Sequence, residues 1–314
     1  MKTIAKFSGF VISIALSAGC SSFTSTETTA ANSAAPVSGY SQPRTVGKIA
    51  SDDVTESSGV AASRCRSDVY WTHNDSGDGA FVYAFNLKGD NLGTWRIPGA
   101  ENDDWEDIDS YKDDKGKCFL YIGDIGDNKG RRPDHVVYRI PEPEIKPDDV
   151  GTLRENARLS TSAQVLKFTY PDGGHNAETM MVNPLTGDIY VLTKRIDGPS
   201  QVYKIAGNFD SAGVVSAERV GEVAVPSVPN GLLTGGDISP DGTRVAICDY
   251  TQAYELRLKT GSSNFDEIWK EKPIPINVGD LKQNEAIGYT SDGNALVVTS
   301  EKKHPPVVEI DRNN

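Results

Sequence analysis

Five acidic residues stand where a carboxylate cannot simply be solvated. Glu178 opens the apolar run ETMMV, which is followed by NPLTGD and DIYVLTK. Glu56 in VTESSGVAAS, Glu106 in DDWEDIDSY, Asp237 in LTGGDISPDG and Glu285 in KQNEAIGYTSDG hold comparable places, each at a short apolar segment followed by a turn. A carboxylate entering an apolar strand must be paired, protonated or bound to a cation. Taken singly, each could cap backbone amides or pair with Lys or Arg. Brought together, the five would repel one another, and a cation on their common axis would remove the conflict. Calcium suits such a set, because it takes six to eight oxygen ligands in flexible geometry. No His/Cys cluster selects zinc or copper.

The segments around these acids say how they could meet. After each turn comes a β-branched and aromatic run: VYWTH, FLYIGD, IYVLTK, RVAICDY, ALVVTS. A polar loop and a third run follow: FVYAF, HVVYRI, QVYKI, AYELRL, PVVEI. Fourth strands read as LGTWRI, QVLKFTY, RVGEVAV and DEIWKEKPI. Short strands with turn signals, repeating at roughly 50–70 residues, indicate an all-β chain forming a β-propeller of five four-stranded blades. The last repeat lacks a fourth strand, and TVGKIA near the start can supply it and close the ring. A sixth blade would have to lie between Glu106 and Glu178, where PEPEIKPDDVGTLRENARLS reads instead as an insertion. In a propeller the first strand of each blade lines the channel, so the five acids would ring one mouth.

The loops between second and third strands should open at that mouth. They carry Arg131, Arg132, Lys194, Arg195, Lys302 and Lys303. Arg131, Lys194, Arg195 and Lys302 are the candidate anion-binding residues, since cations beside a metal suit a phosphate. His73, Asp75 and Asp107 are candidate general bases, with no choice among them. HNDSGD and GDIGDN approach calcium-loop spacing without matching the EF-hand pattern, and turn formation explains both equally well. Cys65 and Cys118 precede the second strands of adjacent blades at the face away from the acids, and a disulfide between them is expected. Cys248, inside RVAICDY, should remain a buried thiol.

The start of the chain sets the compartment. MKTIAKFSGFVISIALSAGC has a basic n-region, an apolar core and small residues before Cys20, so residues 1–19 read as a signal peptide. LSAGC resembles the lipobox of bacterial lipoproteins, which implies lipidation of Cys20 and a membrane anchor in the bacterial cell envelope. Ser21 and Ser22 after it imply the outer membrane. Residues 20–42, rich in Ser, Thr and Ala, read as a flexible tether, and 43–314 as a single β-propeller domain. The formal charge of −12 argues against nucleic acid as a partner.

WTHNDSGD, DWEDID, YIGDIGDN and NAETM resemble an uncharacterised family of secreted bacterial propellers, loosely akin to phytase-like and esterase-like propellers. The acid ring on a five-bladed frame is similar in arrangement to calcium-activated nucleotidases (apyrases). There the resemblance implies a calcium on the axis beside substrate phosphates. Glu106, Glu178 and Glu285 fit that arrangement best. Asp237 is shorter, and Ser57 and Ser58 after Glu56 could be ligands in its place. Two functions are expected. One is an envelope-anchored calcium-binding propeller that takes a ligand or an envelope protein at its mouth. The alternative is a calcium-dependent hydrolase of phosphate esters or anhydrides acting on a phosphorylated small molecule.

Overall fold

The computed structural model describes residues 39–281 and 283–313. The expected signal peptide, Cys20 and the tether up to residue 38 lie outside the described residues.

Five antiparallel sheets form a closed ring. Blade 1 is built from Ser57–Ala62, Tyr70–Asn74, Phe81–Phe85 and Asn91–Arg96. Blade 2 has Trp105–Lys112, Cys118–Asp124, His135–Pro141 and Gln164–Thr169. Blade 3 has Ala177–Val182, Ile189–Thr193, Ser200–Ile205 and Glu218–Val223. Blade 4 has Leu233–Ile238, Arg244–Asp249, Ala253–Arg257 and Ile274–Ile276. Blade 5 has Asn284–Tyr289, Ala295–Ser300 and Pro306–Asp311, and Arg44–Lys48 pairs antiparallel with the last of these, as the sequence predicts. Each inner strand packs against the inner strands of both neighbouring blades. The chain is thus a five-bladed β-propeller, and the interval between Glu106 and Glu178 holds no sixth blade.

The apolar core is divided among the blade interfaces. Trp71, Trp95, Ile108 and Leu120 fill the seam between blades 1 and 2. Tyr121, Phe168, Met180 and Tyr203 fill the next. Comparable clusters occupy the other three seams. Burial of such side chains contributes about 1.5–3 kcal/mol each, so stability resides where blades meet.

Three local features differ from the sequence reading. Tyr40, placed in the tether, is buried and its hydroxyl donates to Glu255 Oε1 at 2.5 Å, so the folded part begins before residue 43. DEIWKEKPI is only partly a strand. Phe265–Lys270 is a 3₁₀ turn started by Asn264, whose Oδ1 accepts the Asp266 N–H, and Trp269 is buried beneath it. Pro273 and Pro275 then limit the outer strand to Ile274–Ile276, since proline cannot donate to a ladder. Finally, blades 1 and 2 each gain a fifth strand, parallel, from the third-to-fourth connection of the following blade. Arg158–Leu159 joins blade 1 and Val214–Ser216 joins blade 2.

The inner strands leave one edge unpaired toward the channel, and buried side chains from neighbouring blades satisfy it. Asp107 accepts the N–H of Ile108 (2.9 Å), of Met180 in blade 3 (3.0 Å) and of Gly236 in blade 4 (3.4 Å). Asp109 accepts the Val182 N–H at 2.6 Å and Asp237 the Tyr289 N–H at 2.7 Å. Ser58 Oγ donates to the Glu106 carbonyl at 2.9 Å. Blades 1 and 2 approach so closely that a Cβ at Gly59 would meet Asp107 Oδ1 at 2.8 Å. On the opposite face, Cys65 and Cys118 form the expected disulfide, with Cα atoms 6.1 Å apart. Cys248 is a buried free thiol.

Asp107 ties three blades, so removing it orphans buried amides at about 1–3 kcal/mol for each. Asp107→Ala should lower unfolding free energy by about 3 kcal/mol in a urea titration, and Asp107→Asn, which keeps an acceptor, by clearly less. Equal midpoints for Asp107→Ala and wild type would contradict this role.

Candidate metal centre at the channel mouth

Every inner strand begins with a one-residue irregularity against its hairpin partner. The pairing skips between Ser57 and Gly59, Trp105 and Asp107, Ala177 and Thr179, Leu233 and Gly235, and Asn284 and Ala286. The skipped residues are Ser58, Glu106, Glu178, Thr234 and Glu285. Such bulges re-aim one side chain and end the pairing. These five positions are therefore structurally equivalent, and three of them hold glutamate.

Of the five predicted metal ligands, Glu106, Glu178 and Glu285 thus share one layer. Asp237 lies three residues beyond its own blade's bulge, Thr234, deeper in the channel. There Arg64 Nη2 sits 3.3 Å from its Oδ1, with both side chains nearly buried. Burial pushes the Asp237 carboxyl up to about 6, with Arg64 pulling back. Glu56 precedes its inner strand and is exposed at the rim.

The three glutamates differ in their partners. Glu178 receives Lys194 Nζ at 2.5 Å, and the same ammonium donates to the Tyr250 hydroxyl. Burial works against the Lys194 charge, but Glu178 and Tyr250 hold its pKa above the ordinary lysine value. Burial raises the Glu178 carboxyl, and Lys194 offsets part of that rise. Glu285 is pushed up to about 8 by burial, then by Glu301 and Glu178. Glu106 is 5% exposed, and among the described residues no hydrogen-bond donor reaches its carboxylate. Burial lifts it well above the usual carboxylate range, and Glu178, Asp75 and Asp104 lift it further.

Asp75, Asp104 and Glu106 converge: one oxygen from each lies within 4.8 Å of the other two. Asp75 follows the second strand of blade 1, whereas Asp104 and Glu106 flank the start of the inner strand of blade 2. Asn102 joins the two blades here, with Nδ2 donating to the carbonyl of Asp75 at 3.0 Å and Oδ1 accepting the Trp105 N–H at 3.2 Å. Gly126 forms one wall. A Cβ there would collide with Glu106 Oε1 and Asp104 Oδ2, so the close approach of both carboxylates to the backbone requires glycine. A donor set of three carboxylates fits a hard divalent cation.

Asp104 was not singled out from the sequence, and Asp75 was placed there among the general bases. The other two candidate bases are withdrawn from the mouth. His73 is fully buried with Nδ1 against the Asn74 carbonyl, and Asp107 is occupied by backbone amides. The cationic candidates are scattered. Lys194 stands inside the acid set. Arg195 pairs with Asp197 at 3.0 Å, and Arg132 with buried Asp124 at 2.6 Å. Arg131 and Lys302 are exposed on mouth-side loops. Lys303 lies 2.9 Å from Asp52.

No protein-family model matches the chain, and no curated protein matches it in sequence. Among solved structures it is similar to a gluconolactonase from Xanthomonas campestris, at 12% identity over 87% of this chain and 95% of that one, with a TM-score of 0.46. It is also similar to a chain of a nidogen/laminin complex, at 14% identity over 79% of this chain and 73% of that one, with a TM-score of 0.43. Neither likeness bears on what this chain does.

Glu285 sets the sign of the pH response. Burial and the neighbouring carboxylates hold its carboxyl up at about 8 against an ordinary 4.5 in the cation-free fold, so folding favours proton uptake between those values. Stability of the chelator-treated protein should therefore fall as pH rises from about 5 to about 8, and Glu285→Gln should flatten that slope. Thermal melts at stepped pH measure this, and a melting temperature that climbs over the interval would contradict it.

Proposed function

We propose that the chain is a divalent-cation-binding propeller, with calcium held at the channel mouth by Asp75, Asp104 and Glu106. Glu285 adds to the anionic surround, and Glu178, paired with Lys194, borders it. The reading is carried by Glu106. A carboxylate that is almost fully buried, meets no hydrogen-bond donor among the described residues and faces two further carboxylates is favoured when protonated or bound to a cation. Calcium would supply positive charge at the mouth, there to engage anionic oxygen of a ligand or of an envelope protein. The ring pre-orients its ligands, because inner strands anchored through Asp107, Asp109 and Asp237 hold the bulges in place. Cys20 would anchor the molecule in the bacterial envelope, as a lipid anchor at the outer membrane.

A second reading is calcium-dependent hydrolysis of a phosphorylated small molecule. It is supported by Lys194, an ammonium standing within the acid set, and by Arg131 and Lys302 on loops of the same face. Lys194 and these loops would bind and orient phosphate oxygens.

Calcium binding to the fold alone stabilises by about 2.7 kcal/mol at a hundredfold excess over Kd, which corresponds to a rise in melting temperature of several degrees. Chelator should reverse the rise and Glu106→Gln should remove most of it. A melting curve indifferent to calcium and chelator would defeat the cation reading. Phosphate release from nucleotides, inositol phosphates or sugar phosphates that disappears in both chelator and Glu106→Gln would select the hydrolase.

A further inference from the structure

The loop that carries Asp75 is held from outside by blade 2. Between His135–Pro141 and Gln164–Thr169 the chain leaves blade 2 and lays Arg158–Leu159 beside the outer strand of blade 1. On the way, the turn Arg154–Asn156 reaches the loops of blade 1. Arg154 pairs with Asp78, its Nε lies 3.2 Å from Asp53 Oδ1, and its backbone N–H donates to Asp53 Oδ2 at 2.7 Å. Asp78 is itself nearly buried, and its second oxygen takes Asn74 Nδ2 (2.8 Å) and the Tyr83 hydroxyl (2.7 Å). Asn74 Oδ1 accepts the N–H groups of Thr55 and Glu56. Asp75 therefore sits between two anchored neighbours, Asn74 and Asp78, and Asp78 is neutralised by a guanidinium sent from blade 2.

We propose that Arg154 is a positioning residue for the cation site. The proposal rests on the reading that Asp75, Asp104 and Glu106 hold the cation. Blade 2 supplies Asp104 and Glu106 directly and, through Arg154, fixes the blade 1 loop that brings Asp75 to meet them. Without the guanidinium, Asp53 and Asp78 lose their shared counter-charge beside Asp75, and the exposed Ser76–Gly77 tip is left to the bonds of the Asp75 backbone to the Glu56 carbonyl and Asn102. Charge alone predicts the opposite effect: deleting a cation near a cation site tightens binding. The sign of the change in affinity therefore separates positioning from simple electrostatics.

The test is calorimetric titration of the purified protein with calcium chloride. Arg154→Ala should weaken Kd by about 10-fold, the lower end of what loss of an outer-shell partner does to a metal site. Arg154→Lys, which can pair with Asp78 but not bridge both acids, should recover part of that loss. In an Asp75→Asn background, Arg154→Ala should change Kd by less than about twofold, because the ligand it positions is already gone. An unchanged or tighter Kd in Arg154→Ala, or the same loss in the Asp75→Asn background, would overturn the proposal. Hydrogen exchange without calcium gives a readout that does not need the metal. Arg154→Ala should speed exchange in residues 75–80 while the inner strand of blade 2 stays protected. If wild type binds no calcium, the cation reading falls. Unchanged exchange in 75–80 would overturn the positioning role in either case.

Discussion

A propeller's inner strands have hydrogen-bonding partners on one side only, and everything near the axis of this molecule follows from how the other side is satisfied. Unpaired buried N–H groups are costly. Asp107, Asp109 and Asp237 point into the channel and accept amides from blades other than their own. Their carboxyls are thus engaged by the backbone, which offsets part of the rise that burial imposes on Asp107 and Asp109, and Arg64 adds a counter-charge beside Asp237. One layer above, among the described residues, Glu106 and Glu285 meet no such amides, and Glu178 is paired with Lys194. Two layers of carboxylates a few ångströms apart therefore do different work. The lower layer closes the ring, and the upper layer is left with negative charge that only protons or a cation can offset.

Much of the fold was legible in the sequence because blades repeat a local pattern. Strand, turn, strand, polar loop and strand recur with enough β-branched and aromatic residues to mark every sheet, and the missing fourth strand of the last repeat pointed to the N-terminal segment that closes the ring. The disulfide followed from placing Cys65 and Cys118 at equivalent turns of adjacent blades. What was not legible depended on register. Glu178 and Asp237 look alike in sequence, since each acid enters a short apolar strand. They differ by three residues relative to a bulge that no spacing rule reveals, and that offset carries Asp237 from the mouth layer to the amide-capping layer. Asp104 was passed over because NDDWED offers several acids and only the close approach of Gly126 shows which two converge. The parallel fifth strands were also invisible, being two- and three-residue segments that pair with a different blade.

The seam between blades 1 and 2 carries the disulfide on one face, the blade 2 arm around its outer edge, and Asn102 bonded across it at the mouth. The seam between blades 2 and 3 has a matching arm and Asn176 bonded across it, without a disulfide among the described residues. The three converging carboxylates straddle the seam between blades 1 and 2. A site shared by two blades is only as well defined as their relative placement, so the clamps and the proposed cation site would depend on one another. On the other side of the channel, Lys194 already neutralises Glu178, and no comparable cluster of three carboxylates forms among the described residues.

The most direct test is diffraction from crystals grown in calcium, compared with crystals grown in chelator. The account requires a difference peak at the mouth, with oxygens of Asp75, Asp104 and Glu106 at about 2.3–2.6 Å from it. A map that is flat there, or a peak seated instead in the deeper layer at Asp107 and Asp237, would contradict it.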